Sequence, residues 1–203
     1  MEKTKSQKMD GNRLLTGDFQ VSFPQVFKAV AFENSDPKFS AEMLFDREDP
    51  TVKALAELVQ STMIAKWGKK PTGFQSPIRL GDQDYGKGSK AEKYAEYVGR
   101  VYCKALARAN HPPKVIDRNK SEIMNETEIY PGSICRAVVG AWAYDNKFGK
   151  GVSLTLEILQ KLADATPFAG GSSAKVEDLP DLPQEDPAVS VGSVDEAFDP
   201  LNF

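Results

Sequence analysis

Two stretches of strict alternation constrain this chain more than any other feature. In GRVYCKALAR, Val101, Cys103, Ala105 and Ala107 fall on one side of an extended backbone, and Arg100, Tyr102, Lys104 and Arg108 fall on the other. Successive side chains of a strand point to opposite faces, so this segment reads as a strand with one small apolar face and one cationic and aromatic face. ICRAVVGAWAY repeats the arrangement. Cys135, Ala137, Val139, Ala141 and Ala143 share one side, and Arg136, Trp142 and Tyr144, with Val138 and Gly140 between them, share the other. Taken alone, the rings would suit a barrel interior equally well, since large aromatics are usually at least partly buried. The cations on the same face argue for the outside, because an unpaired buried charge is strongly disfavoured. Cations beside rings are what single-stranded nucleic acid asks of a surface, the first for phosphates and the second for stacked bases.

The remaining elements follow from the same kind of reading. DFQVSF sets Phe19, Val21 and Phe23 against Gln20 and Ser22, and KFSAEMLF sets Phe39, Ala41, Met43 and Phe45 against Lys38, Ser40, Glu42 and Leu44. Both are predicted strands, with PQVF and ENSDP as turns after the first. Asp49 and Pro50 then cap and open a helix whose stripe is Val52, Leu55, Ala56, Val59 and Met63, and Gly68 ends it. Lys69 to Lys90 is expected to be a long mobile loop, carrying Lys87 and Lys90 among its bases. Such a loop is either functional or simply solvated. Strands are expected at 97–108, 133–144 and 152–160, with a short extended piece at PKVID between the first two. The turn DNKFGKG brings Lys147, Phe148 and Lys150 to a hairpin that could close over a bound strand. The chain is therefore mostly β with one main helix, and the polar, basic residues 1–12 are expected to be a flexible N-terminus.

Charge is unevenly spread along the 203 residues. The whole chain has 26 Lys and Arg against 29 Asp and Glu, a net charge of -3. Past Phe168, eight acids face the single base Lys175, which leaves about -7 there and about +4 in the preceding body. That asymmetry is a composition-level sign of a nucleic-acid binder with an acidic tail. Residues 169–203 are rich in Gly, Ser, Pro and acid, with almost no large apolar residue before Phe198, Leu201 and Phe203. They cannot offset the entropy of ordering and are expected to be disordered. With one histidine, His111, and two distant cysteines, Cys103 and Cys135, the sequence lacks the ligands for histidine catalysis or a zinc site. The thiols are expected to be reduced and buried, which suits a cytoplasmic setting. No segment resembles a signal peptide or a membrane span.

Phosphate loops, dinucleotide fingerprints and HExxH motifs are absent, so no enzyme, catalytic residue, metal or cofactor is expected. The acids of Glu126 to Glu128 and the pair Asp82 and Asp84 leave open a metal-dependent nuclease. An annealing recombinase, or a scaffold using its tail as a DNA mimic, is a further alternative. Against these stand four motifs: SFPQVF, KFSAEMLF running into the DP-capped helix, EIYPGSICRAVVGAWAYDNKFGKGVSLTLEILQK, and the PFAGG junction. Together they resemble phage single-stranded DNA-binding proteins of OB-fold type, which carry an acidic C-terminal tail ending in an aromatic residue. The resemblance implies a five-stranded OB-fold-like barrel at 13–168 that coats single-stranded DNA without sequence specificity during phage replication, recombination and repair in the host cytoplasm. It also implies a tail that regulates DNA binding and recruits replication proteins such as a polymerase, helicase or nuclease, together with self-association on DNA. The helix directly after the second strand departs from the usual OB order. The expected DNA-binding set is Arg100, Tyr102, Lys104, Arg108, Arg136, Trp142, Tyr144, Lys147, Phe148, Lys150, Lys87 and Lys90. The expected partner-binding set is Asp195, Glu196, Phe198, Asp199, Leu201 and Phe203.

Overall fold

The structure is a computed structural model, and it describes residues 3–31, 33 and 35–168. The chain divides into two units, 1–170 and 171–203. The expected tail at 169–203, with Asp195, Glu196, Phe198, Asp199, Leu201 and Phe203, lies outside the described residues.

Among the described residues nine strands form in chain order: β1 Gln7–Met9, β2 Arg13–Leu15, β3 Phe19–Val30, β4 Lys38–Asp46, β5 Ile78–Leu80, β6 Arg100–Arg108, β7 Lys114–Ile116, β8 Ile134–Asn146 and β9 Gly149–Ala163. The helices are α1 Pro50–Trp67, α2 Gly81–Asp84 and α3 Ser89–Lys93. Five strands close into a ring in the order β3, β4, β6, β9, β8 and back to β3. Neighbours are antiparallel except β6 and β9, which run parallel. This is the connectivity of an OB-type barrel. The alternation read from sequence fills its interior: Val21, Ala41, Met43, Cys103, Ala105, Cys135, Ala137, Val139 and Leu154 are fully buried. Leu44, placed on the opposite face of its strand, is buried as well, which calls for a layer outside the barrel.

The ring has two open seams, and both are filled by segments the sequence reading left irregular. β3 pairs with β8 only at Phe19 and Gln20, and β2 takes the rest of that edge opposite Val138, Val139 and Gly140. β6 pairs with β9 only at Ala105 and Leu106, and β5 takes β6 at Val101, Tyr102 and Cys103. Exposed strand edges carry backbone donors and acceptors that need partners, which explains both recruitments. The N-terminal dozen, expected to be flexible, therefore contains β1 paired with β2, and Lys3 lies 3.4 Å from Asp46 and 3.7 Å from Asp49. PQVF, expected to turn, continues β3 instead. The register shifts after Ser22, and a proline is tolerated at such a bulge because no ladder bond is lost there.

α1 begins and ends as its caps dictate. The Asp49 carboxylate accepts from the Thr51 amide at 2.9 Å, and Gly68 closes the helix at φ 70°. Its buried side is Thr51, Leu55, Leu58, Val59, Thr62 and Met63, so Ala56, assigned to the stripe, is exposed. The segment 69–90, expected to be a mobile loop, contains β5, α2 and the start of α3. Two apolar anchors start it: Phe74 meets Trp67 edge-on at 6.4 Å, and Ile78 packs on the core.

Candidate nucleic-acid interface

The outer face of the barrel is divided between an open groove and a covered strip. The groove, about 1230 Å³, lies where Pro37 and Lys38, the end of β6, and the outward residues of β9 converge. Arg108 and Lys38 are register partners on β6 and β4, so their side chains share one wall, and Lys114 of β7 joins them. Trp142 lines the same groove, 46% exposed, with Tyr144 at 5.8 Å and a tilted ring. Opposite these two rings in the β8–β9 ladder stand Ser153 and Gly151, and the Tyr144 ring lies across Gly151, where a Cβ would stand 2.5 Å from its hydroxyl. In an OB barrel the face of the second and third strands and the loops between strands one and two and between four and five take oligonucleotides. Here those parts are β4, β6, the 31–37 connection and the β8–β9 hairpin. The hairpin projects Phe148, 75% exposed, with the Lys147 ammonium 5.0 Å from its ring centroid.

The covered strip is the first half of β6. Tyr102 lies on the outer face, as alternation requires, yet it is only 5% exposed. Residues 78–99 fold over it as a flap whose Tyr85 and Tyr97 rings sit 5.7 and 5.2 Å from the Tyr102 ring. The flap is pinned by acids. Tyr102 donates to Asp84 at 2.7 Å, Arg79 approaches Asp84 at 3.5 Å, and Asp82 accepts from the Gly99 amide at 2.7 Å and pairs with Arg47. Tyr97 donates to Glu42 at 2.6 Å. Burial, reinforced by these carboxylates, pushes the Tyr97 and Tyr102 hydroxyls above the ordinary tyrosine range, and burial pushes Tyr85 up to about 12. Tyr102 thus fills neither the barrel interior nor an open surface. Tyr102 is on the side of the strand that alternation predicts, but a layer no local pattern announces lies on top of it and keeps it from solvent.

The other expected contacts are spread around the barrel. Arg100 donates to Gln20 at 2.6 Å and lines a smaller cavity of about 390 Å³ at the far ends of β4 and β6. That cavity gathers Asp18, Asp46, Asp49 and Asp164, a poor surface for a polyanion. Arg136 donates to Gln160 at 2.8 Å, away from the groove. Lys104 is exposed, 3.7 Å from Glu42, and Lys150 lies 2.9 Å from Asp145. Tyr144 donates to Gln75 at 2.7 Å, and Lys87 and Lys90 are exposed on the flap. The groove therefore unites Arg108 and Trp142 from the expected set, with Tyr144 beside the latter, and adds Lys38, Lys114 and His111, with Asp36 and Glu157 as the acids among its lining, so three Lys and Arg stand against two carboxylates there. Only the β4–β6 register, which no single strand reveals, could have found Lys38.

The carboxylates considered for a metal have other partners or none in common. Asp82 and Asp84 hold the flap, and Glu126 and Glu128 sit exposed on a single 3₁₀ turn capped by Asn125. Among the described residues, no group of three or more His, Cys, Asp or Glu could hold a metal ion. Cys103 and Cys135 are free thiols that burial pushes up to about 12. Among the described residues, no helix is long and apolar enough to cross a membrane.

Comparison with known proteins places this geometry among relatives. Residues 12–189 match the family described as Enterobacter phage Enc34, ssDNA-binding protein. Putative protein p50 of Acyrthosiphon pisum secondary endosymbiont phage 1 is 26% identical over 175 residues, covering 84% of this chain and 94% of that protein. The fold is shared with the single-stranded DNA-binding protein of bacteriophage Enc34 in complex with ssDNA. The TM-score there is 0.66 at 22% identity, covering 77% of this chain and 89% of that one. It is also shared with gp2.5, a single-stranded DNA-binding protein encoded by bacteriophage T7, at TM-score 0.50 and 16% identity, covering 79% and 97%.

Proposed function

The chain belongs to the family of the Enterobacter phage Enc34 single-stranded DNA-binding protein, and on that premise we propose that it coats single-stranded DNA through the groove on the outer face of its barrel. The observation that carries the assignment is the half-exposed Trp142 ring facing the same groove as Lys38, Arg108 and Lys114. Bases stack on Trp142 while the cations neutralise flanking phosphates, and neither contact reads sequence. Phe148 and Lys147 on the hairpin close over the strand from the opposite side. The Enc34 protein solved with ssDNA supports this reading through its fold and its ligand. The same reading includes self-association on DNA and a place in the cytoplasm of an infected host.

The tail contributes by charge. At about -7, residues 169–203 compete with DNA for a body of about +4, acting as a tethered polyanion. Phe198, Leu201 and Phe203 add nothing to electrostatic competition; they suit a basic-rimmed apolar pocket on a replication protein, with Asp195, Glu196 and Asp199 facing the rim.

Fluorescence titration with poly(dT) at several salt concentrations tests the core of this reading. The logarithm of affinity should fall with the logarithm of salt by about 0.7 per phosphate contacted. Trp142→Ala should lose about 1 to 3 kcal/mol of binding while the protein stays folded. Salt-independent binding, or a variant that binds as well as the original, would remove the groove from consideration.

A further inference from the structure

We infer that the flap and the β3 bulge build a second stacking platform for an unpaired base, centred on Phe23 and Tyr94, which extends the DNA path beyond the groove. Phe23 is a non-glycine residue in the left-handed region, at φ 43°, and its ring is 41% exposed. A backbone conformation that bulky residues rarely adopt here turns a large apolar ring toward solvent. The ring has company. Tyr94 lies 5.9 Å away and Tyr97 6.4 Å away, and the Lys93 ammonium stands 5.4 Å from the Tyr94 ring centroid. An exposed ring supported from behind by a second ring, with a cation at its side, is the equipment of single-strand binding and answers no need of the core, which is closed without it.

Strand register connects the platform to the groove. Arg108 pairs with Lys38 at the groove wall, Leu106 with Ser40, and Lys104 with Glu42. On β3, Gln25 continues the Leu106–Ser40 row and Ser22 the Lys104–Glu42 row, so Phe23 sits at the bulge between them. The path from wall to platform is four residues of strand, about 13 Å. The exposed residues along it are Gln25 and Lys104, one amide and one cation. The one acid on the way, Glu42, is buried and held by Tyr97 and Lys104. A strand leaving the groove over β4 therefore meets no exposed negative charge on these rows before it reaches the ring. The inference rests on the groove being the DNA site and commits to single-stranded DNA as the occupant, because of that continuity and charge.

The test is the dependence of affinity on oligonucleotide length, measured by anisotropy with labelled (dT)4 and (dT)20 on the full chain carrying Phe23→Asn. Asparagine tolerates the left-handed conformation, so the backbone is not newly strained. The expected result is unchanged affinity for (dT)4, which the groove alone accommodates, a loss of about tenfold for (dT)20, and a thermal midpoint no lower than that of the original. Phe23→Tyr, which keeps a ring, should bind (dT)20 normally. Equal affinity of Phe23→Asn and the original for (dT)20 overturns the platform and leaves the groove standing. A change in sedimentation without a change in affinity overturns it too, and assigns the patch to contact between copies. Failure of the unaltered protein to bind either length ends both readings.

Discussion

Tyr102, Cys103 and Cys135 show how neighbouring side chains of similar strands come to different ends. The two thiols lie on the inner face and are fully buried, while Tyr102 lies on the outer face and is buried by the flap. All three are weak acids that burial holds neutral. Cys103 and Cys135 are raised from an ordinary value near 9 to about 12, Tyr85 from 10 to about 12, and Tyr97 and Tyr102 are raised as well. A group whose folded pKa exceeds its unfolded one stabilises the fold below the unfolded value and loses that contribution as pH climbs toward the folded one. Stability should therefore be level across neutral pH and fall steeply between about pH 9 and pH 12, a window in which the carboxylates stay ionised throughout. Urea midpoints measured across that range check it, and a midpoint that stays flat to pH 11 would mean these groups are open to solvent.

The flap from 78 to 99 is the element on which the outer surface turns. It docks through Asp82, Asp84 and Tyr97, and it depends on one close approach: a Cβ on Gly81 would stand 1.9 Å from the Tyr97 carbonyl oxygen. That neighbour is backbone and cannot swing aside. Gly81→Ala should therefore force the two ends of the flap apart and loosen it while leaving the barrel folded, and limited trypsin digestion should cut after Lys87, Lys90 and Lys93 about tenfold faster, since cleavage follows the population of the open form. An unchanged cleavage rate would show that the flap relaxes around the methyl group. The same element explains why the loop reading of 69–90 fell short. Its Gly, Pro and charge content is that of a loop, and its order comes from contacts with β6 and Glu42, residues far away in sequence.

Across the whole molecule the decisive quantity is the separation of charge, about +4 in the body against about -7 beyond Phe168. Removing the residues after Gly171 should tighten binding of oligonucleotide to the body. The gain should be larger at low salt, where the Debye length of about 30 Å at 0.01 M lets the tail compete with DNA for the body most strongly. Parallel titrations of full-length and truncated protein measure this. Identical affinities at low salt would leave the tail no part in DNA binding.

Alternation within single strands was legible from the residues alone. It identified the five ring strands, the faces of β6 and β8, the α1 caps and the buried thiols, because each depends on neighbours a few positions away. What the sequence could not show was which strands sit side by side and what lies over them. β6 and β8 carry similar outward faces, yet β9 stands between them, so their cations do not form one surface. Lys38 and Lys114 joined Arg108 and Trp142 only because strand pairing carried them to one groove, while Arg100, Tyr102 and Arg136 were drawn to Gln20, Asp84 and Gln160. A two-residue period fixes which side of a strand a group occupies. Whether that side meets solvent, DNA or another segment is decided by long-range pairing and packing.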